Sequence, residues 1–246
     1  MDYVPWSPKF LCMQDQVNLI KEKAKFISDA EYARLVANWA QQEDNSEQLE
    51  CFVEGDTFQV GGIISFSTIS YLLSTPGIAT IKIRFGLKNK EEKQFCLLLF
   101  GVDSAGERVT PYCEATSIYT PSKESKALDM PGEELPESLT GLWKYNWISR
   151  KGAVGAEVFS IRYGFLHGYN YSVQEFVATL GLAKEKLSVH IIYGLHHYYG
   201  LGNSQKASTL PCYAFGLVLH ATKLGEANSI DDEGYYDLSS PCPRTC

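Results

Sequence analysis

The feature that most constrains this chain is a strand-like segment that occurs twice. "TIKIRFGL" (residues 80–87) and "SVHIIYGL" (residues 188–195) carry apolar residues at the same alternate positions, and both end in Gly-Leu. Alternation with a period of two is typical of a strand with one buried face. Because self-similarity of this kind indicates an internal repeat, neighbouring segments are expected to match in the same order.

Further segments do match in that order. The matching pairs are "VANWA" with "KYNWI", "SFSTISYLL" with "NYSVQEFVA", "FCLLLFGVDSAGE" with "YAFGLVLHATKLGE", and "PYC" with "PC". Within the second pair, Ser67 and Ser172 are the predicted N-caps of short helices. The shared order predicts an internal duplication, in which each unit has a helix, a strand, a short helix and two or three antiparallel strands.

The predicted class is α+β, because half-buried strands need a helix to cover them. The first unit is predicted over residues 1–120 and the second over residues 138–246. Residues 121–137 form the predicted linker, since they are rich in Pro, Ser, Glu and Lys. Each unit is a helix packed on a small antiparallel sheet. The pattern leaves open whether the units share one sheet or form separate domains.

The main helix of the first unit has a predicted start. Ser28 and Glu31 have the spacing of a capping box, and apolar residues recur at helical spacing as far as Trp39. An additional helix is predicted before it, over residues 14–27.

Charge and hydropathy exclude several classes of partner. The net charge of −7 does not suit nucleic acid, whose phosphates require clustered Lys and Arg, nor an acidic lipid surface. Apolar runs such as "FCLLLFGV" are shorter than the roughly 20 residues of a membrane span. The N-terminus lacks a basic segment followed by an apolar one, so the cytoplasm is the expected location. The seven cysteines favour free buried thiols over a disulfide scaffold.

The order of these motifs resembles a group of small uncharacterised bacterial proteins. The resemblance is carried by the Trp-bearing helix, the short helix "ISYLL", the strand "IKIRFG", the turn "GVDSAGE" and the terminal "PCPRTC". Members of that group are about one unit long, so the chain looks like a doubled version over residues 28–113 and 138–246. The resemblance implies a fold and no catalytic residues.

All histidines of the chain lie in the second unit: His167, His190, His196, His197 and His220. Such asymmetry is what a site acquired by one unit would produce, and neutral imidazoles are common ligands of transition metals. If residues 212–220 return as the partner of residues 189–193, His190 and His220 become cross-strand neighbours. A transition metal bound there, with Glu175 or Asp231 as the carboxylate, is one hypothesis, and histidines held by hydrogen bonds at the surface are the other.

The segment "HHYY" is predicted to follow the end of that strand, at the turn of the hairpin. His196, His197, Tyr198 and Tyr199 are therefore candidate residues for contact with a ligand or partner, because tyrosine combines contact area with a polar tip. The alternative is ordinary strand composition.

Other motifs favour structural roles. In "WKYNW", Trp143 and Trp147 are spaced as neighbours on a helix, with Leu139 on the same stripe, which is typical of core packing rather than of a sugar-binding ladder. Cys242 and Cys246 have CxxxC spacing and not the CxxC spacing of redox centres. Phosphate-binding loops and nucleophile elbows do not occur in the sequence.

The sequence therefore favours a non-catalytic protein whose second unit binds a small ligand or a partner protein, with no cofactor. Two alternatives stay open at this level. One is a metal-dependent, hydrolase-like enzyme that uses the histidines of the second unit, and the other is a structural or assembly protein.

Overall fold

The computed structural model describes residues 25–45, 47–88, 93–121, 135–161, 163–180, 187–198, 212–223, 235–236 and 240–242. The helices are α1 (Asp29–Ala40), α2 (Phe66–Leu73), α3 (Leu135–Ile148) and α4 (Val173–Leu180). The strands are β1 (Lys25–Ile27), β2 (Val53–Glu54), β3 (Thr57–Ile64), β4 (Thr80–Leu87), β5 (Phe95–Val102), β6 (Tyr112–Glu114), β7 (Thr116–Pro121), β8 (Ser160–Ile161), β9 (Gly164–Phe165), β10 (Gly168–Ser172), β11 (Leu187–Tyr198), β12 (Cys212–Lys223), β13 (Tyr235–Tyr236) and β14 (Ser240–Cys242). Among these helices, none has the length and hydropathy needed to cross a bilayer.

Two large antiparallel sheets form the centre of the protein, which confirms the α+β class. The first sheet has the order β1-β6-β5-β4-β10-β14. The second has the order β13-β12-β11-β3-β2, with β7 also paired to β3. Each sheet therefore contains strands from both halves of the chain: β10 extends the β4–β5 hairpin, and β3 extends the β11–β12 hairpin.

The two sheets pack face to face through the apolar positions that alternate along the repeated strand. Ile83 and Phe85 on β4 are fully buried, as are Ile191 and Tyr193 on β11. Rings from opposite sheets meet in this layer, for example Phe85 and Phe215 with centroids 5.5 Å apart. Burial of one such side chain stabilises the fold by roughly 1.5–3 kcal/mol, so the predicted alternation is the main determinant of the core.

Residues at the start of α1 confirm one predicted cap and correct a neighbouring element. The Ser28 hydroxyl accepts a hydrogen bond from the backbone N–H of Glu31 at 3.2 Å. Residues 25–27 form β1 on the edge of the first sheet, paired with β6, so the helix predicted over residues 14–27 is wrong at its end. Residues 14–24 lie outside the described residues.

The cap of α2 differs from the prediction. Ser65, not Ser67, is the N-cap, since its hydroxyl accepts from the backbone N–H of Thr68. Ser172 directly precedes α4, in the place where Ser65 precedes α2. The sequence match set these two helices two residues out of register, because an aromatic residue before a serine occurs in both segments at different places.

The two halves repeat the same tryptophan contact. The indole N–H of Trp39 donates to the carbonyl oxygen of Leu166 at 2.8 Å, and that of Trp147 donates to the carbonyl oxygen of Gln59 at 2.9 Å. Each tryptophan is fully buried and reaches across to a strand or loop of the other half. The contacts join the halves in both directions.

A second pair of contacts repeats within each half. The Asn38 side-chain amide donates to the carbonyl oxygen of Leu87 at 3.1 Å, and that of Asn146 donates to the carbonyl oxygen of Leu195 at 3.3 Å. These bonds tie each main helix to its own hairpin. Repeated contacts are what a duplication would leave, and a common origin of the halves stays a prediction.

Aromatic rings at the centre follow the same repetition. Trp39 stacks on Phe165 with centroids 5.4 Å apart, and Trp147 stacks on Phe58 at 5.3 Å, both with an interplanar angle of 26°. Phe52 stacks on its counterpart Phe159 with an interplanar angle of 4°. The halves thus share one aromatic core.

Two features of the second half differ from what the sequence match predicts. β11 continues to Tyr198, which lies opposite Cys212, so the prediction that this strand ends at Gly194-Leu195 is wrong. Gly194 instead lets α3 approach closely, since a Cβ there would lie 2.9 Å from the Cβ of Trp143. Pro241 and Cys242 belong to β14, which pairs with β10 as β7 pairs with β3, so "PC" does not correspond to "PYC".

Candidate functional site

A cleft of about 700 Å³ opens beside the C-terminal end of α1. Its walls are rich in carboxamides, its rim carries four charged side chains, and its floor is apolar. The carboxamides are Asn38, Gln41, Gln42, Asn45 and Gln48; the charged residues are Glu47, Glu50, Lys88 and Lys93; the floor is Leu49, Cys51 and Leu87. None of these lining residues is aromatic.

Hydrogen bonds hold several of the carboxamides in place. The Gln42 amide nitrogen donates to the carbonyl oxygen of Asn38 at 3.4 Å, and the Asn45 amide nitrogen donates to Gln42 Oε1 at 3.0 Å. Asn45 Oδ1 in turn accepts from the backbone N–H of Glu47 at 2.9 Å. Because Asn38 is bonded to Leu87 on β4, this chain of amides is anchored to the first sheet. Preformed polar groups of this kind orient a ligand without a large ordering cost.

The wall opposite α1 is joined to the second half of the chain. Gln48 forms an isolated antiparallel bridge with Gly155, and the backbone N–H of Leu49 donates to the carbonyl oxygen of Val154 at 2.7 Å. The segment that carries Glu47 to Cys51 is therefore fixed by both halves.

The two lysines of the rim are held with different strength. Lys88 Nζ lies 2.7 Å from a carboxylate oxygen of the buried Glu114. Burial lowers the pKa of Lys88, but the hydrogen bond and charge of Glu114 outweigh this and raise it overall. Lys93 lies 3.4 Å from Glu50, and both side chains are largely exposed. Exposed pairs contribute little, so Lys93 and Glu50 are available to a ligand while Lys88 is structural.

Cys51 is the cysteine among the lining residues named above. Its side chain is buried, and burial raises the pKa of the thiol far above its usual range. A protonated thiol is a poor nucleophile, so burial disfavours covalent chemistry at Cys51. Cys96 and Cys113 are also free and buried, as the cysteine count predicted.

The corresponding place in the second half has different residues. Arg150 follows Trp147 by three positions, as Gln42 follows Trp39, and its guanidinium lies 4.8 Å from the ring centroid of Tyr213. Nearby, Trp143 stacks on His196 with centroids 3.9 Å apart. Among the described residues, these two packed pairs therefore lie where the first half has part of its amide-lined cleft.

His190 and His220 lie directly opposite each other on β11 and β12, which confirms their predicted pairing. Both are half-buried beneath α3, close to Lys144. Burial lowers the pKa of each imidazole, to about 4 for His220, and the charge of Lys144 adds to the effect. The imidazoles are thus neutral at pH 7.

Two imidazoles supply only part of a transition-metal site, which needs three or four protein ligands. Within the described ranges, no group of three or more His, Cys, Asp or Glu side chains has the arrangement of a metal site. The Glu175 side chain and Asp231 lie outside the described residues. The metal hypothesis for His190 and His220 stays a prediction.

Three of the four residues predicted to contact a ligand, His196, His197 and Tyr198, lie on β11 and not at a turn. His196 and His197 lie on β11, opposite Ala214 and Tyr213. His196 is half-buried against Trp143, where Gly216 leaves room for the imidazole. The side chains of His197 and Tyr198, and the whole of Tyr199, lie outside the described residues. Their role in binding stays a prediction.

The helical reading of "WKYNW" is confirmed by α3. Trp147 is fully buried, Trp143 is half-buried against His196, and Leu139 is 42% exposed. Cys242 lies on β14, whereas Cys246 lies outside the described residues.

The sequence contains a signal for the cleft that does not have the form of a known motif. The segment "QQEDNSEQLE" follows the first Asn-Trp, whereas "SRKGAVGAE" follows the second, and the first is far richer in amides and carboxylates. Comparison of the chain with protein-family models, with curated proteins and with solved structures finds no match.

Proposed function

We propose that the chain is a non-catalytic binding protein whose ligand occupies the amide-lined cleft. The cleft lies within the range of about 300–1,000 Å³ that small-ligand sites have. Carboxamides offer both donors and acceptors without net charge, and those of Asn38, Gln42 and Asn45 are already oriented by hydrogen bonds. The expected ligand is a polar, hydrogen-bonding small molecule or short polar segment.

The observation that carries the proposal is the divergence of the two halves at this place. Asn38 and Leu87 have counterparts in Asn146 and Leu195, so this contact belongs to the shared scaffold. In contrast, Gln42 corresponds to Arg150, which packs over Tyr213. Because the second half folds without the carboxamides, the scaffold does not require them, and binding is the physical role that explains their concentration around a cleft.

The lining also narrows the chemistry of the ligand. With no aromatic side chain among the lining residues, a base or sugar ring would gain no stacking energy there. The apolar floor accommodates a short aliphatic portion, and the loosely paired Lys93 and Glu50 can exchange their mutual contact for contacts with a zwitterionic ligand.

Side-chain amide resonances provide a direct test. We expect ¹⁵N-edited spectra of the intact chain, titrated with a panel of dipeptides, polyols, oligosaccharides and nucleosides, to show shifts at Asn38, Gln42 and Asn45 with at least one dipeptide or polyol. Gln42→Arg, the residue of the second half, should abolish those shifts. Gln174→Ala removes an exposed amide outside the cleft and is the matched control.

Two outcomes would contradict the proposal. If no probe shifts the cleft amides, or if Gln42→Arg leaves the shifts unchanged, the cleft is not the site. Shifts at the end of β11 instead would favour the hypothesis that His196, His197, Tyr198 and Tyr199 bind the ligand.

The other hypotheses have separate tests. Elemental analysis of protein purified without an affinity tag tests the metal-dependent enzyme, and the oligomeric state in solution tests an assembly role. We also propose a cytoplasmic location in a bacterium, which cell fractionation tests.

A further inference from the structure

The outward surface of α3 is apolar. Three large side chains, Leu139, Leu142 and Tyr145, have exposed fractions of 42%, 44% and 61%. Their three-residue spacing makes them neighbours on the helix surface, and we call them the α3 strip. Thr140 and Trp147, by contrast, are buried, and α3 packs on β11 of the second sheet. The helix therefore has apolar side chains toward solvent as well as toward the core, whereas a surface helix ordinarily has polar ones toward solvent.

The first half shows that the fold does not require an apolar surface at this place. Trp39 and Trp147 are equivalent positions of the two main helices, because they make the same contact. Counted from them, the α3 strip corresponds to Glu31, Arg34 and Ala37 on α1, which are exposed as well. Glu31 and Arg34 form an ion pair at 3.7 Å. Since α1 has the charged surface of a helix that faces water, packing within the chain does not explain the α3 strip, and an exposed apolar patch of this kind marks an interaction surface.

The surface around the α3 strip is free of exposed charge. From residue 139 to residue 148, a stretch that the structure describes in full, the strip contains all the exposed side chains. The charged residue of that stretch, Lys144, is half-buried. Two copies of a chain with a net charge of −7 repel each other in general, so an uncharged apolar surface is where they can meet most closely.

We propose that two copies of the chain associate through the α3 strip, with their α3 helices antiparallel. The strip has its residues at equal intervals, so reversal of the helix direction keeps the pattern. A two-fold axis at Leu142 then places this leucine against Leu142 of the second copy, and Leu139 against Tyr145 of the second copy. Such an arrangement is isologous, because each contact occurs twice and no free copy of the strip remains.

The charges at the ends of α3 select the antiparallel direction. Glu137 lies in the first turn of α3, and Arg150 lies two residues beyond its last turn. In an antiparallel pair, the acidic end of one helix lies beside the basic end of the other, which the helix dipoles also favour. An antiparallel second copy is therefore complementary to α3 in both apolar pattern and charge.

The size of α3 sets the expected strength of association. The helix has 14 residues and a length of about 21 Å. A contact between two helices of this length buries less than the roughly 1,200 Å² that is typical of stable complexes. We therefore expect a weak dimer, with a Kd on the order of 10–100 µM. Because α1 packs on the first sheet and α3 on the second, association through α3 leaves the amide-lined cleft open, and the inference does not depend on its ligand.

Analytical ultracentrifugation of the intact chain, from about 1 µM to about 500 µM, tests the proposal. We expect a reversible change from monomer to dimer without larger species. Leu142→Arg, which introduces the residue of the first half, should raise the Kd at least about tenfold. Ala37→Arg places the same charge on the exposed surface of α1 and should leave the Kd unchanged. Circular dichroism of both variants verifies that they are folded.

A chain that stays monomeric up to about 500 µM would overturn the proposal, and the occupant of the α3 strip would then be a different protein. An unchanged Kd in Leu142→Arg, or an equal rise in Ala37→Arg, would overturn it as well. Should Leu142→Arg fail to fold, Tyr145→Ala decides, because it removes the most exposed side chain of the strip. That variant should raise the Kd at least about threefold, and an unchanged Kd would refute the α3 contact.

Discussion

The two halves of this protein share their scaffold contacts and differ in what lies beside them. Each has a buried tryptophan bonded across to the other half, and each has an asparagine bonded to its own hairpin. Beside these contacts, the first half has an amide-lined cleft, whereas the second has a packed Arg150–Tyr213 pair and the cross-strand pair His190–His220. The shared contacts explain the fold, and the differences include the cleft at which we propose that a ligand binds.

The largest expected effect tests whether the two buried tryptophans contribute equally to the stability of the fold. Trp39→Ala and Trp147→Ala should each lower the free energy of unfolding by about 3–5 kcal/mol, because each leaves a large cavity and an unpaired buried carbonyl. Urea denaturation measures the change. Similar losses in both variants would support the equivalence of the halves, and tolerance of one variant alone would break it.

The next effect concerns β3 and β10, each of which pairs with the hairpin of the other half of the chain. A Cβ at Gly61 would lie 2.3 Å from the carbonyl oxygen of Ile191, and one at Gly168 would lie 2.0 Å from that of Ile83. Gly61→Ala and Gly168→Ala should each cost about 1–3 kcal/mol, with Gly168 the more severe because its φ of +149° is also unfavourable for alanine. Thermal denaturation measures this, with the exposed Asp56→Ala as control. An unchanged melting temperature in both glycine variants would argue against the pairing of β3 with β11 and of β10 with β4.

A smaller effect concerns His220, whose place in the first half is taken by Phe100. Because the pKa of His220 is lowered to about 4 in the folded chain, the free energy of unfolding should fall between pH 6.5 and 4.5. Partial exposure of the imidazole reduces the loss to about 1–2 kcal/mol. Denaturation at the two pH values, compared with His220→Phe, measures it, and an identical loss in the variant would assign the effect to other groups.

The smallest effect on stability should come from the cleft. Gln42→Arg together with Lys93→Tyr copies the Arg150–Tyr213 pair into the first half and should change the free energy of unfolding by no more than about 0.5–1 kcal/mol. The same variant should lose the ligand-induced shifts of the remaining cleft amides. A strong loss of stability would instead show that the cleft residues support the fold.

Several elements could be predicted from the sequence because they depend on local pattern. The alternation in β4 and β11, the cap at Ser28 and the opposition of His190 to His220 all follow from period and hairpin register, which a short segment specifies by itself. The cap of α2 was misplaced, because two serines near its start both satisfy the pattern and only the backbone path selects Ser65.

The candidate site could not be predicted in the same way. The cleft takes its walls from α1, from the segment around Gln48 and from the end of β4, which are brought together by the second half through Gly155. A run of amides is compatible with a solvated turn as well as with a binding wall. The histidines are the more conspicuous residues in the sequence, but His190 and His220 lie on β11 and β12, away from the residues that line the cleft.

The sequence by itself determined the class of this protein, the burial of alternate strand positions and the correspondence of the two hairpins, because hydrophobic period and chain order are local properties. Tertiary structure alone decided that β3 pairs with β11 and β10 with β4, each across to the other half. It also decided that β11 continues through Gly194 as far as Tyr198, and that the amides after Trp39 line a cleft. The physical reason is that an apolar face specifies what must be buried, whereas the partner that buries it is chosen by the packing of the whole core.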